Sequence, residues 1–244
     1  TIIDLMVSTQ ASSLIYECIN CIVSGAMLNQ ELLKDRDIAS LCIEQIMKFF
    51  DTRDSNLKYV GLLALINILE LFPVLIHKTK DISKIIMNCL TDNDMLIKTK
   101  ALEISHYMIT EDNIVEVVKV LLLQLIPGDD FIDVPENYKL KVVFKILEVA
   151  SQNNYSNVPN LRWYVAVLKD MINLTLLPLP NSRSTAPSVS EEVTGLISLA
   201  IGSEFKTLVT KIPSMRSEVV SKVIFQFSQD VNVLDSCPIL LRDF

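Results

Sequence analysis

The chain has 244 residues, half of them hydrophobic, with a mean hydropathy of +0.38 and a formal net charge of −7. Five glycines are too few for the turns of a β-sandwich or for a phosphate-binding loop, and the acidic balance argues against wholesale nucleic-acid binding. A membrane span needs about 20 apolar residues in a row, yet 57–72 carries Lys58, Asn67 and Glu70, and 114–126 carries Glu116, Lys119 and Gln124.

The apolar residues are instead spread evenly, as in helices that bury several faces each, some of them against other subunits. Cysteines 18, 21, 42, 89 and 237 form no even disulfide framework. Most sit in apolar helical surroundings, where a free thiol acts as a small hydrophobe in a reducing cytosol. The sequons at Asn154 and Asn173 read as chance. The opening Thr1-Ile2-Ile3-Asp4-Leu5 shows neither an initiator Met nor a helix cap, and reads as a cut from a longer protein.

Prolines and polar clusters divide the chain into helix-sized pieces. The spacing predicts helices near 12–28, 36–50, 55–72, 81–91, 94–109, 112–126, 136–151, 159–177, 189–201, 203–211, 214–229 and 231–241. Asp35, Asp54 and Asp94 each precede an apolar-periodic run as caps, and Ser188 to Glu191 form a capping box. In 35–51, Ile38, Leu41, Cys42, Ile46, Phe49 and Phe50 share a face. Residues 57–71 are apolar nearly all round, which requires cover on more than one side and marks an inner helix. In 136–151, Leu140, Val143, Phe144 and Leu147 form the apolar stripe, with Lys141, Lys145 and Glu148 in water. Residues 127–135 and 178–190 read as irregular insertions, the second a mobile surface loop. No segment has the strict alternation of a strand.

Asn56-Leu57-Lys58 and Leu96-Ile97-Lys98 open helices 40 residues apart, and Gly61-Leu62 matches Ala101-Leu102 at the same distance. Tyr138-Lys139 follows 41 further on. A period of about 40–47 residues built from helix pairs predicts a HEAT/armadillo-like all-α solenoid of stacked antiparallel pairs, here one trunk segment over 1–244. Its repeats are clear over 1–177 and weaker over 191–244. A single pair cannot bury its own apolar face, so neighbours share a core, and small residues at 61 and 101 let helices approach closely.

Reactive constellations are weak. Cys18-x-x-Cys21 lacks a second ligand pair and reads as two neighbours on one apolar face. His77 and His106 lack carboxylates at ligand spacing. The Ser55…Lys58 and Ser203…Lys206 pairs lack the companion motifs of penicillin-binding enzymes, leaving the serine as a cap and the lysine as a solvated turn residue. Asp92, Asp94, Glu111 and Asp112 lie at helix starts, where carboxylates favour the dipole. No catalytic, cofactor or metal site is expected. Lys98, Lys100, Lys139, Lys141 and Lys145 could form a basic ladder for an acidic partner or anionic lipid, set against a plain solvated rim.

Particular strings then carry a resemblance. Ser13-Leu14-Ile15-Tyr16-Glu17-Cys18-Ile19 and Asn56-Leu57-Lys58-Tyr59-Val60-Gly61-Leu62 resemble helix motifs of the adaptin large subunits of heterotetrameric vesicle-coat adaptor complexes. Cys89 to Asp94, with Ile97-Lys98 and Ala101-Leu102-Glu103, is similar to their next repeat. Asn154-Tyr155 and Trp163-Tyr164 look most like the delta branch. The resemblance covers 13–177. It implies a non-enzymatic scaffold without cofactor that cradles a small longin-type sigma subunit and meets a second large chain and a medium subunit. It also implies docking with an Arf-type GTPase from the cytoplasm onto Golgi or endosomal membranes, for cargo delivery to lysosome or vacuole. A nuclear transport receptor or another HEAT-repeat scaffold is the alternative on the same fold.

Overall fold

The computed structural model describes residues 1–25, 27–29, 32–78, 81–126, 134–177 and 189–224. The described residues form helices and turns without a strand, in two compact units, Thr1–Met108 and Ile109–Phe244. The insertions expected at 127–135 and 178–190 lie outside the described residues except for 134–135 and 189–190, and the expected helix at 231–241 lies outside them altogether.

The first unit holds α1 (Ile2–Ser8), α2 (Ser12–Ser24), α3 (Leu33–Met47), α4 (Ser55–Leu71), α5 (Leu75–Lys78), α6 (Ile82–Leu90) and α7 (Met95–Ile104). Two of the three expected aspartate caps are in place. The Asp54 carboxylate accepts from the N–H groups of Asn56 and Leu57 at 2.9 and 3.4 Å, and Asp94 accepts from Leu96 at 2.8 Å. Asp35 lies inside the first turn of α3 and accepts instead from the Asn29 N–H at 2.7 Å. An unexpected cap opens α1: Thr1 Oγ1 accepts from the Asp4 N–H, and the Asp4 carboxylate reaches back to the Thr1 backbone nitrogen. Threonine with an acid three residues on is a capping box, and the short helix behind it escapes a periodicity search for want of length. The same holds for the single turn of α5.

α4 is the centre of this unit. Leu62, Leu65, Ile68 and Leu69 have no accessible surface, and the helix packs against α2, α3 and α7. This cover on several sides is what its all-round apolar sequence requires. α7 follows α6 through a four-residue turn and packs against it as an antiparallel hairpin. Gly61 is where α4 meets the 3-10 turn Lys48–Asp51 that ends α3. A β-carbon built there would stand 3.3 Å from Phe49 Cβ and 3.1 Å from the Phe50 ring. The Cys18/Cys21 expectation is half met, since Cys18 is buried and Cys21 is exposed. Three residues advance a helix by about 300°, enough to carry Cys21 past the edge of the buried stripe.

The second unit holds α8 (Ile114–Leu123), α9 (Glu136–Ser151), α10 (Leu161–Thr175), α11 (Glu191–Lys211) and α12 (Arg216–Val219), the last continued by a wide turn over Val220–Ile224. α9 packs against α8, α10 and α11. The two helices expected at 189–201 and 203–211 are one. The buried line Ile197, Ile201, Phe205, Leu208 keeps its 3.6 period straight across Gly202, and this outweighs the roughly 1 kcal/mol a mid-helix glycine costs. The stripe of α9 is rotated from the expected one. Tyr138, Val142, Val143, Ile146 and Leu147 are buried, whereas Phe144 is 46% exposed. Of the expected capping box, Ser188 lies outside the described residues and Ser190 is the N-cap residue.

Gly61→Val forces two γ-carbons against Phe49 and Phe50. The expected result is a loss of about 1–3 kcal/mol of stability, the cost of overpacking a filled site, read as a lower urea midpoint at unchanged slope.

Candidate binding surfaces

The five lysines singled out in the sequence do not make one solvent-facing ladder. Lys100 is paired with Glu103 at 2.8 Å, and Lys145 with Glu148 at 2.7 Å, each within one helical turn. Lys98 is half-buried and Lys141 is exposed. Lys139 has no accessible surface, which removes it from any external contact.

The reason appears one repeat earlier. Lys58 holds the repeat position of Lys98 and Lys139, and its Nζ lies 3.1 Å from Asp92 Oδ2. Lys58 is in the first turn of α4, and Asp92 sits in the turn that leads into α7. The pair therefore joins the same ends of two neighbouring helices and holds them parallel. Lys58 thus points towards the next helix pair and not outward. Asp92 also accepts from the Asp94 N–H at 3.0 Å. Burial pushes its carboxyl up, but the Asp94 N–H and the Lys58 ammonium outweigh that, and the net shift is downward from 3.8. Cys89 beside it moves the other way, up to about 11, through burial and then the Asp92 charge, against Lys58. The sequence reading of Lys58 as a solvated turn residue is thus corrected, and the cap of α4 is Asp54, not Ser55.

Two acidic clasps hold α11 in the second unit, one to the start of α9 and one to Tyr155, just past α9, and to Tyr164 on α10. Glu136, in the first turn of α9, accepts from the Ser190 N–H at 2.9 Å and from its hydroxyl at 2.6 Å. Glu204 accepts at one oxygen from the Tyr155 hydroxyl at 2.7 Å and from Tyr164 at 3.1 Å. Glu136 joins the start of α9 to the start of α11, and Tyr155, just past the end of α9, meets α11 further along, so α9 and α11 also run parallel. Tyr155 reaches Glu204 at the end of three successive left-handed residues, Asn153, Asn154 and Tyr155, with φ 46°, 62° and 66°. Asparagine tolerates that region, but tyrosine pays about 1–2 kcal/mol, which a charge-assisted hydrogen bond worth about 1.5–3 kcal/mol offsets. Both phenols are pushed up, first by burial and then by Glu204. Nothing in the sequence pairs Tyr155 with a carboxylate 49 residues on.

The other candidates remain separate. His106 is half-buried with Nδ1 2.8 Å from the Glu103 carbonyl, and Glu111 and Asp112 are exposed before α8. Among the described residues no three His, Cys, Asp or Glu side chains gather where a metal could sit. No described helix is long and apolar enough to cross a membrane. What the second unit does offer is an open apolar groove between α8 and α10, lined by Leu122, Leu123, Ile126 and Leu174 with Lys119, Asp170 and Asn173.

The family model described as the adaptin N terminal region matches residues 2–241. The AP-3 complex subunit delta of Saccharomyces cerevisiae is 32% identical over 258 aligned positions, covering 99% of this chain and 25% of that protein. Its counterpart in Schizosaccharomyces pombe is 37% identical over 171 positions, 70% of this chain and 20% of that protein. AP-3 complex subunit delta-1 of Bos taurus is 30% identical over 172 positions, 70% of this chain and 14% of that protein. The chain spans a quarter or less of the length of these relatives.

The Lys58–Asp92 pair has a pH signature. Because the folded pKa lies below 3.8, its contribution is complete above the ordinary carboxylate range and is lost as pH falls through the lowered value. At neutral pH, Asp92→Asn should lower stability by about 1–2 kcal/mol, as expected for a partly buried charged hydrogen bond. The difference in Tm between the two proteins should shrink below about pH 4. A gap that stays constant down to the acid transition contradicts the assignment. In the second unit, Tyr155→Phe should cost about 1.5–3 kcal/mol by the same measure, since the left-handed turn keeps its strain and loses its partner.

Proposed function

The chain belongs to the adaptin N-terminal-region family, and from this we propose that it is a trunk segment of an adaptor-complex large subunit, a non-enzymatic scaffold in vesicle-mediated cargo transport. The match along nearly the whole chain carries the reading. The geometry supports it: helix pairs are joined pair to pair by buried side chains and ionic clips, so their uncovered helix faces are free to bind while the core keeps them in register. The 244 residues are read as a single α-solenoid trunk segment of a longer polypeptide. Its partners are the other subunits of a heterotetrameric adaptor, namely a second large chain, a small longin-type sigma subunit and a medium subunit. An Arf-type GTPase recruits the assembly from the cytoplasm to Golgi or endosomal membranes, and the cargo goes to lysosome or vacuole. Lys98 and Lys141 remain as contacts for an acidic partner or lipid headgroup.

Affinity purification of the full-length parent, with subunits identified by mass, tests this reading. Stoichiometric recovery of a second large chain, a medium chain and a small longin-type chain is the expected outcome. Recovery of the parent alone, or with a Ran-type GTPase and no adaptor chains, overturns it.

A further inference from the structure

α8 reads Ile-Val-Glu-Val-Val-Lys-Val-Leu-Leu-Leu, so eight of its ten residues are aliphatic. Only Ile114, Val117, Val118 and Leu121 are buried. Val115, Leu123 and, just beyond the helix, Ile126 are 44%, 54% and 43% exposed. A helix covered on one side needs one apolar face, and a second apolar line facing water carries a solubility cost unless something covers it. Positions 119, 122/123 and 126 recur at the helical i, i+3/i+4, i+7 spacing, and 170 and 173/174 face them from α10 across the groove. This is the form of a seat for another helix.

The charges in the groove narrow the choice of occupant. Lys119 and Asp170 are exposed and neither forms an ion pair among the described residues. The apolar walls push the Asp170 carboxyl above its ordinary range, against the lowering effect of Lys169. A lipid surface pressed here would desolvate Asp170 further and offer no fixed cation, whereas a protein helix can place a Lys or Arg against it. We propose that the α8–α10 groove seats an amphipathic helix of a partner protein, its apolar line on Leu122, Leu123, Ile126 and Leu174 and a basic residue meeting Asp170. This rests on the reading of the chain as a partner-binding trunk and specifies one of its docking sites.

A photo-crosslinking residue in place of Leu123 in the full-length parent, irradiated in cells, tests the seat. The adduct is mapped by mass spectrometry, with a second crosslinker at Glu148 on α9 as control. The expected result is one peptide, captured from position 123 and not from 148, with apolar residues at helical spacing and a Lys or Arg beside them. Asp170→Lys should reduce that adduct at least tenfold, and Glu in place of the mapped basic residue should restore it. No protein adduct, a lipid adduct, or a peptide adduct indifferent to Asp170→Lys overturns the proposal. If adaptor chains co-purify with the parent but position 123 captures no helix, the groove assignment fails while the trunk reading stands. Capture of a charge-matched helix from a protein outside any adaptor supports the groove and counts against the trunk reading.

Discussion

The first unit depends on the burial of α4. A helix whose Leu62, Leu65, Ile68 and Leu69 are all inaccessible has no face left with which to be a surface element. Other helices must then lie on several sides of it, and α2, α3 and α7 do. Each of those buries a stripe of its own and needs a further neighbour in turn. Stacking is therefore the way this composition avoids water, and the mean hydropathy of +0.38 is its consequence. Gly61 sets the tolerance of the arrangement, because the end of α3 comes as near to α4 as an absent β-carbon permits.

Apolar packing alone leaves the sliding of one helix past another weakly determined. Polar links settle it. Lys58–Asp92 ties the starts of α4 and α7, Glu136–Ser190 ties the starts of α9 and α11, and Glu204 takes both tyrosine hydroxyls further along. The first two join the starts of parallel helices and the third joins α11 to α10 and to the segment after α9; Lys58–Asp92 and the Glu204 contacts are partly buried, where removing one partner leaves the other poorly solvated. Such contacts add modestly to stability and strongly to register, since a shift of one helical turn, about 5.4 Å, breaks them.

The fold was legible wherever periodicity had length to work with. The helices over 55–72, 136–151 and 159–177 lie within a few residues of α4, α9 and α10 because each carries four or five turns of unbroken apolar spacing. α1 and α5 were not legible, being two turns and one. The break expected at Gly202 did not occur, since local propensity lost to a buried line that continues through it. Lys58, read as a solvated turn residue, is paired with Asp92, and Lys139, read as part of a basic ladder, is buried. Equivalent positions in a stack face the next pair as readily as solvent, and nothing local to Lys139 separates the two. The three left-handed residues Asn153, Asn154 and Tyr155 were invisible for the same reason, the carboxylate that Tyr155 meets lying 49 residues away.

The binding surface follows from a different kind of surplus. In α4 the excess of apolar residues is consumed inside the unit, so its composition speaks only of stacking. In α8 it is not consumed: four of ten residues are buried and eight are aliphatic. A helix that spends apolar residues on a face its own chain leaves open is under a constraint from outside the chain. Buried Lys139 and exposed Phe144 on the neighbouring α9 make the complementary point. Side-chain type alone would have exchanged their positions, and the orientation of α9 against α8, α10 and α11 decides otherwise. What such a protein can bind is therefore set by which helical faces the stack consumes, and only then by the residues those faces carry.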